Sequence, residues 1–336
     1  AALGVAKRLQ AKNDDETTGW WQGELVGREP PAKEMVIDLQ DLFRFYNHPQ
    51  RYFVETHLQM RLKGVEEISV SSESFELNNL EKYVVYQEWL ERHIDDEDLV
   101  VDDEFLKRLR AEGRWPHGQL GNQQFEKMSK ELSGFAGKIR ELNIGEKQEP
   151  RLIDYHIGDY RLKGTLNGVH ERGNLLYRYA RCKAKDQLKA WLNHLIFINA
   201  SNGATASIGV AESYFLHMDG SWKFATVENP QASLLSLLDG YRTAQTQLSP
   251  IMPSAAVAYV DRLLKTKSKS QKTPEDVAQE AFDKDFEYDA YYQLLYRGAS
   301  STELVESEAF KESVDEIFQG LFSAKEGVTF GSDKAD

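Results

Sequence analysis

Hydrophobic positions recur every three or four residues in several stretches of the chain, which is the spacing of one face of an α-helix. These stretches lie at 37–58, 76–112, 123–143, 186–199, 230–247, 255–265 and 303–322. Cap residues fit some of the starts, since Asp38 and Ser254 can each accept a hydrogen bond from the first turn. Pro49 divides the first stretch, because proline ends one helix and suits the first turn of the next. We therefore expect mostly helices before residue 148 and after residue 230.

The pattern changes to that of β-strands from residue 149. Strand-forming residues fill 151–157, 162–169, 175–180, 206–218 and 222–227. Turn residues separate them at Glu171–Asn174 and at Asp219–Gly220, because glycine, asparagine and aspartate accept turn conformations. The helix that follows the third strand has Asp186 as its expected N-cap and one apolar face. That face consists of Leu188, Trp191, Leu192, Leu195 and Ile196.

The order of these elements predicts an α+β fold made of consecutive parts. Residues 1–33 are polar and rich in glycine, and we expect a connector from an upstream region that the chain lacks. Residues 34–148 form a helical arm, residues 149–325 an α/β core with C-terminal helices, and residues 326–336 a frayed tail. The basic, low-complexity stretch 266–272 is expected to be a mobile loop.

Composition narrows the class of protein. The chain has 336 residues, of which 41% are hydrophobic, so it can bury a sizeable core. One cysteine excludes a disulfide framework and a cysteine-rich zinc site, as expected in a reducing cytoplasm. No apolar run is long enough to span a membrane, and no signal peptide is visible. The chain begins with Ala1, which suggests a piece of a longer protein.

Charge is distributed unevenly. The net charge of −13 argues against a surface that is basic throughout. Between residues 161 and 189, however, eight lysines and arginines stand against only two acids, Glu171 and Asp186, whereas residues 95–104 hold seven acids and no base. A basic cluster of this kind is either a solvated face or a footprint for nucleic acid or a protein partner.

Two histidines and the glycine pattern bear on whether the chain has catalytic, metal-binding or nucleotide-binding residues. His48 stands beside a helix break, which favours a structural role over a catalytic one. His117 has no cysteine or histidine at metal-ligand spacing nearby. No glycine-rich phosphate loop is present, so we expect no nucleotide hydrolysis by this chain.

The layout of residues 161–199 resembles the site of a PD-(D/E)XK, or restriction-endonuclease-like, nuclease. Such a site has an aspartate at the end of the first strand of a hairpin, an acid-x-Lys triplet on the second, and a helix behind. Its carboxylates hold a divalent metal that activates water. Here the corresponding positions hold Asn167, Arg181 and Lys183. The resemblance implies a nuclease-like core that has no catalytic residues, no metal site and no cofactor of its own.

Four further segments resemble the C-terminal, nuclease-like domain of the RecC family. They are residues 38–53 with their His-Pro-x-Arg-Tyr-Phe ending, the Gly- and Pro-rich loop 109–121, residues 179–195 with Trp-Leu-x-His-Leu, and the aromatic stretch 281–298. The resemblance implies a non-catalytic domain within the RecBCD helicase–nuclease, exodeoxyribonuclease V, which acts in double-strand break repair by recombination. It further implies RecB and RecD as partners, contact with double- and single-stranded DNA, and Mg²⁺ and ATP used only by the other subunits.

Within this family resemblance the basic cluster supplies the candidate DNA-binding residues. They are Arg178, Arg181, Lys183, Lys185 and Lys189. A second hypothesis is a divergent metal-dependent exonuclease that uses the spare carboxylates Asp154, Asp159 and Glu171. A third is a module that only stabilises the fold, and the sequence does not separate it from the first.

Overall fold

The structure, a computed structural model, describes residues 34–62, 77–94, 102–202, 212–224, 226–265 and 271–330. The predicted connector 1–33, most of the acidic stretch 95–104 and most of the predicted loop 266–272 lie outside the described residues. The described part mixes helices with two mixed β-sheets, which confirms the α+β prediction. The division at residues 148 and 149 and the PD-(D/E)XK character of the core stay predictions.

The described chain begins with a short strand, β1 (Met35–Asp38), that the hydrophobic pattern did not reveal. Helix α1 (Leu39–Asn47) follows at once, and Asp38 accepts the Gln40 N–H at 2.7 Å as its N-cap. Helix α2 (Pro49–Tyr52) continues into a π-helical turn (Phe53–His57). The two predicted helices are confirmed, and β1 was missed because four residues are too few for a period to show.

Three helices form the arm: α3 (Asn79–His93), α4 (Asp103–Ala111) and α5 (Gly118–Glu141). The start of α5 differs from the prediction, which treated residues 114–121 as a loop. The indole N–H of Trp115 donates to the Gly121 carbonyl at 2.9 Å. A β-carbon at Gly121 would lie 2.1 Å from the Pro116 carbonyl oxygen, so this glycine permits a close approach at the helix start.

The central strands are β2 (Arg151–Ile157), β3 (Tyr160–Leu166), β4 (Val169–His170) and β5 (Gly173–Arg178). The strand predicted over 162–169, with interruptions at Gly164 and Gly168, is divided into β3 and β4 in the structure. The chain bends at Asn167–Gly168, where Gly168 has φ +73°, and β3 and β4 belong to different sheets. The bend is held by a 2.7 Å hydrogen bond from the Leu175 N–H to the Gly168 carbonyl.

Helix α6 (Ala184–Asn202) follows, and then the hairpin of β6 (Glu212–His217) and β7 (Gly220–Phe224), as predicted. Helix α6 begins two residues before Asp186, so Asp186 is not its N-cap. Its carboxylate instead accepts the Lys183 N–H at 3.0 Å from the third helical position, as the acid of a capping box does.

The C-terminal half is helical. It contains α7 (Pro230–Thr243), α8 (Pro253–Leu264), α9 (Pro274–Tyr288), α10 (Ala290–Leu295), α11 (Ser301–Glu306), α12 (Glu308–Ser313), a π-helical turn (Val314–Phe318), α13 (Gln319–Ala324) and strand β8 (Lys325–Gly327). Three predictions need correction here. Helix α8 follows Met252, so Ser254 lies inside its first turn. The single helix predicted over 303–322 is broken at Ser307. The described residues 326–330 of the predicted tail are folded, since β8 reaches Gly327 and Phe330 is buried.

The strands form two β-sheets. The first has the order β1-β3-β2, with β1 parallel and β2 antiparallel to β3. The second has the order β4-β5-β6-β7-β8, in which only the β5–β6 pair is parallel. One apolar cluster joins the first sheet to α6 and the C-terminal helices, and Leu175 and Leu216 of the second sheet join a separate cluster with the helical arm.

Candidate functional site

The candidate DNA-binding residues fall on one short piece of chain, residues 178–189, which we call the basic segment. It runs from the end of β5 into the first turns of α6. Its loop is fixed by the neighbouring hairpin: the Met218 N–H donates to the Ala180 carbonyl at 3.2 Å, and the Cys182 N–H donates to Asp219 at 3.0 Å. The cations of this loop are therefore held in place by backbone hydrogen bonds.

Arg178 differs from the other members of the segment because its charge is already used inside the protein. Its Nη1 lies 2.6 and 2.7 Å from the two carboxylate oxygens of Asp186. Its guanidinium also lies over the Tyr83 ring, 5.1 Å from the ring centre. Arg178 thus joins β5 to α6 and to the helical arm, which leaves it poorly placed for a phosphate.

Arg181, Lys183 and Lys189 are exposed, and Lys185 is half-buried. Burial lowers the pKa of Lys185 from its ordinary value. The Asp186 carboxylate opposes that shift, and the positive charges of Lys183, Arg178 and Arg51 add to it. An anion bound beside Lys185 would offset that penalty, because an opposite charge favours the protonated form. The structure therefore brings Lys183 and Lys185 close enough to interact, near the start of α6.

The positions that would hold a metal in a nuclease of the resembled kind do not suit a divalent cation. Asn167 is exposed and contributes an amide, and its own carbonyl accepts the Asn174 side-chain N–H at 2.9 Å. Arg181 brings a positive charge where a carboxylate is required. In the part of the chain that the structure describes, no three histidine, cysteine, aspartate or glutamate side chains converge as a metal site would need.

The spare carboxylate Asp154 is also engaged. Two guanidinium nitrogens of Arg161 donate to it at 2.7 and 2.8 Å across the β2–β3 pair. The pKa of Asp154 is lowered from its ordinary value, chiefly by that hydrogen bond. This bidentate pair lies on strands of the first sheet, whereas the basic segment begins on β5 of the second.

Cys182 lies within the basic segment and His217 lies next to it, and the two side chains do not form a nucleophilic pair. Burial raises the pKa of the Cys182 thiol to about 12, so the thiol stays protonated and weakly nucleophilic. The Nδ1 atom of His217 lies 2.6 Å from Asp219, the carboxylate that also accepts the Cys182 N–H. His217 therefore supports Asp219, and Asp219 supports the basic loop.

A cleft of about 350 Å³ lies beside the start of α6, and "the cleft" refers to it below. It lies between the α1–α2 junction and the first turns of α6 and α8, and the end of α9 closes it. Its lining residues include Asn47, His48, Lys183, Lys185, Ser254, Lys284, Asp285, Tyr288, Asp289 and Tyr292. Lys284 and Tyr288 were not among the predicted site residues, because they lie about a hundred residues from the basic segment. The sequence signal that includes them is the aromatic stretch 281–298.

His48 proves to be structural, as expected. Its Nδ1 accepts the Arg51 N–H at 3.2 Å as the cap of α2, and its Nε2 lies 2.8 Å from Asp289. Asp289 in turn caps α10 by accepting the N–H groups of Tyr291 and Tyr292 at 2.8 and 3.1 Å. His48 and Asp289 thus fix two helix starts at one wall of the cleft.

Within the described residues, no helix combines the length and the apolar character needed to cross a membrane. The family model described as the RecC C-terminal domain matches residues 34–264 of the chain.

Curated relatives are similar over most of this chain. The RecBCD enzyme subunit RecC of Escherichia coli (strain K12) is 26% identical over 240 residues, which cover 70% of this chain and 20% of that protein. The RecBCD enzyme subunit RecC of Buchnera aphidicola (subsp. Schizaphis graminum, strain Sg) is 22% identical over 286 residues, covering 85% of this chain and 25% of that protein. The chain thus spans about a fifth to a quarter of the length of these relatives.

Proposed function

The chain belongs to the RecC C-terminal domain family, and from that premise we propose that it is a non-catalytic domain of a RecC subunit that guides DNA within a RecBCD-type complex. Its relatives are named as subunits of the RecBCD enzyme. The partners would be the RecB and RecD subunits, with RecD as the expected contact, and the process would be double-strand break repair by recombination in the cytoplasm. Mg²⁺ and ATP would be used by the other subunits.

The observation that carries the proposal is the fixed position of exposed cations at the start of α6. Arg181 and Lys183 stand on a loop held by Asp219 and Asp186, and neither is paired with those acids through its side chain. Pre-placed cations can neutralise backbone phosphates directly, without an intervening metal, and such contacts are independent of sequence. This supports DNA guidance better than DNA cleavage.

The residues at the positions of the metal ligands support the proposal that this domain is not catalytic. Asn167 and Arg181 replace carboxylates, and the nearby acids are bound to arginines, Asp186 to Arg178 and Asp154 to Arg161. A carboxylate already bound by a guanidinium must give up that partner before it can hold a cation.

A nuclease assay tests this part directly. The purified chain is incubated with linear DNA and Mg²⁺ or Mn²⁺, and we expect no degradation. Asp154→Ala, Asp159→Ala and the surface control Asp261→Ala accompany it. Metal-dependent degradation that Asp154→Ala or Asp159→Ala abolishes and Asp261→Ala preserves would replace the proposal with the divergent exonuclease.

A capture assay tests the partner assignment. The cognate RecD and RecB subunits are each immobilised and exposed to the full-length protein that carries this domain, and to the same protein with the domain deleted. We expect RecD capture to fall at least tenfold on deletion. Equal capture of both forms would remove this domain from the RecD interface.

A further inference from the structure

We propose that the cleft binds one nucleotide of a single DNA strand, with the backbone phosphate at the ammonium groups of Lys183, Lys185 and Lys284 and the base stacked on Tyr288. This inference rests on the proposed function, because it gives the guided DNA a defined contact. It adds two residues, Lys284 and Tyr288, that come from a different part of the chain than the basic segment.

Three lysines from two helices and a loop line one cleft. Lys183 and Lys185 stand at the start of α6, and Lys284 is on α9. In the described part of the chain no carboxylate is ion-paired with any of these three. Other lysines there are paired, such as Lys223 with Glu212 at 2.6 Å and Lys265 with Asp261 at 2.6 Å. The charges of Lys183 and Lys185 repel each other, and an anion with several oxygens would stabilise the cations that line this concavity.

Two helices longer than two turns begin at the same cleft. Ala184 and Lys185 are the first residues of α6, and Ser254 is the second residue of α8. The first N–H groups of a helix have no partner within the helix, and the helix dipole is positive at that end. Both helix starts therefore favour the same anion as the lysines do.

The acids that line the cleft do not cancel this preference. Asp289 is bound by His48 and by two backbone N–H groups, so its charge is already compensated. Burial raises the pKa of Asp285, and a hydrogen bond from Ser254 opposes that rise only in part. The three lysines outnumber these two acids, so the lining keeps a positive balance of charge.

Tyr288 supplies the surface for a base. It is 77% exposed at the end of α9 and lines the cleft, so its ring is accessible to a ligand there. Proteins that bind single strands combine a positive groove with exposed aromatic rings on which bases stack. A cleft of about 350 Å³ has the size of a small-molecule pocket and does not admit a duplex.

Photocrosslinking in the full-length protein, assembled with its partner subunits, tests the inference. The probe is a single-stranded thymidine oligonucleotide that carries 5-iodouracil, which crosslinks to a stacked aromatic side chain, and peptide mass spectrometry locates the product. We expect a crosslink at Tyr288, and also at the ring in Tyr288→Phe. Lys284→Glu should lower its yield about tenfold or more, the loss expected for a charge-assisted contact.

The controls separate this inference from the proposed function. Lys107→Glu, an exposed lysine of α4 outside the cleft, should leave the yield unchanged, and the same probe annealed into a duplex should not crosslink at Tyr288. Crosslinks at the loop of Arg181 and Lys183 without one at Tyr288 would overturn the cleft inference alone. A Tyr288 crosslink that persists in Lys284→Glu, or forms equally with duplex, would also overturn it. Absence of a Tyr288 crosslink, together with probe binding that Arg181→Glu leaves unchanged, would contradict both proposals.

Discussion

At the scale of single residues, Asp186 has two roles at the start of α6. Its carboxylate binds the Arg178 guanidinium and accepts the Lys183 N–H, and its side chain is only 12% exposed. The pair therefore lies away from most of the solvent that weakens surface ion pairs. It fixes the position of the exposed cations that follow Arg178.

Replacing Asp186 should therefore destabilise the fold. In Asp186→Ala the guanidinium of Arg178 and the backbone N–H of Lys183 both lose their acceptor, and we expect a loss of about 2–3 kcal/mol in the free energy of unfolding. Urea denaturation measures it. The matched control is Asp261→Ala, which removes an exposed pair with Lys265 and should cost within about 0.5 kcal/mol. Equal losses in the two variants would show that the Arg178–Asp186 pair is no more than a surface contact.

His217 should make stability depend on pH. Burial lowers its pKa from the ordinary value of 6.5, and the hydrogen bond with Asp219 opposes that shift only in part. Below pH 6.5 the unfolded chain then binds more protons at this position than the folded chain does. The stabilising contribution is present above pH 6.5 and is lost as the pH falls toward the lowered pKa.

The measurement is the free energy of unfolding between pH 5 and 8 for the native chain and for His217→Gln, which keeps a polar side chain but does not titrate. The native chain should lose more stability on acidification than the variant. Identical pH dependence in the two proteins would contradict the shifted pKa.

Residue roles were predicted from the sequence only where they depend on near neighbours. The cap at Asp38 and the structural role of His48 were predicted, because helix signals lie within a few residues. The use of Arg178 as a partner of Asp186 was not, since the spacing of eight residues across a loop has no periodic signature. Lys284 and Tyr288 were missed because only the tertiary fold brings them to Lys183.

At the scale of elements, α6 is the helix whose apolar face was predicted most completely. Its predicted members Leu188, Trp191, Leu192, Leu195 and Ile196 are all buried. The helix packs against α1, α7 and α8 and against β5 and β6 of the second sheet. The Trp191 ring of this face lies 5.4 Å from the Phe224 ring of β7, measured between ring centres. A long helix with a continuous apolar period predicts its own burial, and no long-range information is needed.

Trp191 provides the test at this scale. It is 1% exposed, and Trp191→Ala should lower the free energy of unfolding by about 3–5 kcal/mol, because a large buried ring is removed and a cavity remains. Thermal or urea unfolding measures the change, and Lys189→Ala, an exposed residue of the same helix, should change it by less than about 0.5 kcal/mol. A Trp191→Ala variant that melts within a degree or two of the native chain would contradict the packing of α6.

The elements that were predicted wrongly have a common cause. The period over 303–322 is continuous, but Ser307 has φ −61° and ψ 142° and starts a new helix by accepting the Phe310 N–H. Strand β8 is stabilised by its pairing with β7 and by Lys325 over the Trp222 ring at 3.8 Å. Neither feature shows in hydrophobic spacing. The break at Ser307 depends on a local cap, and β8 depends on a strand about a hundred residues away.

At the scale of the whole molecule, the chain builds two apolar clusters, and the second sheet contributes residues to both. The basic segment follows β5 of that sheet. The α+β class and much of the order of helices and strands were predicted, apart from β1, β8 and the break at Ser307. The assignment of β3 and β5 to different sheets was not, because it depends on the bend at Asn167–Gly168 and on the parallel pairing of β1 with β3. Such pairings join residues more than a hundred positions apart.

The central claim is that this domain guides DNA through fixed cations and not through a metal. The most direct test is the salt dependence of DNA binding by the assembled complex that carries Arg181→Glu, Lys183→Glu and Lys185→Glu together. Each lost phosphate contact should reduce the slope of log K against log salt by about 0.9 for duplex or about 0.7 for single strands, so we expect a total reduction of roughly 2–3 and weaker binding. The matched control reverses Lys107, Lys127 and Lys130, exposed lysines of the helical arm, and should leave the slope unchanged. An unchanged slope in the first variant would contradict the claim: with capture of RecD lost, the segment is a protein interface, and with capture retained, it is only solvated surface.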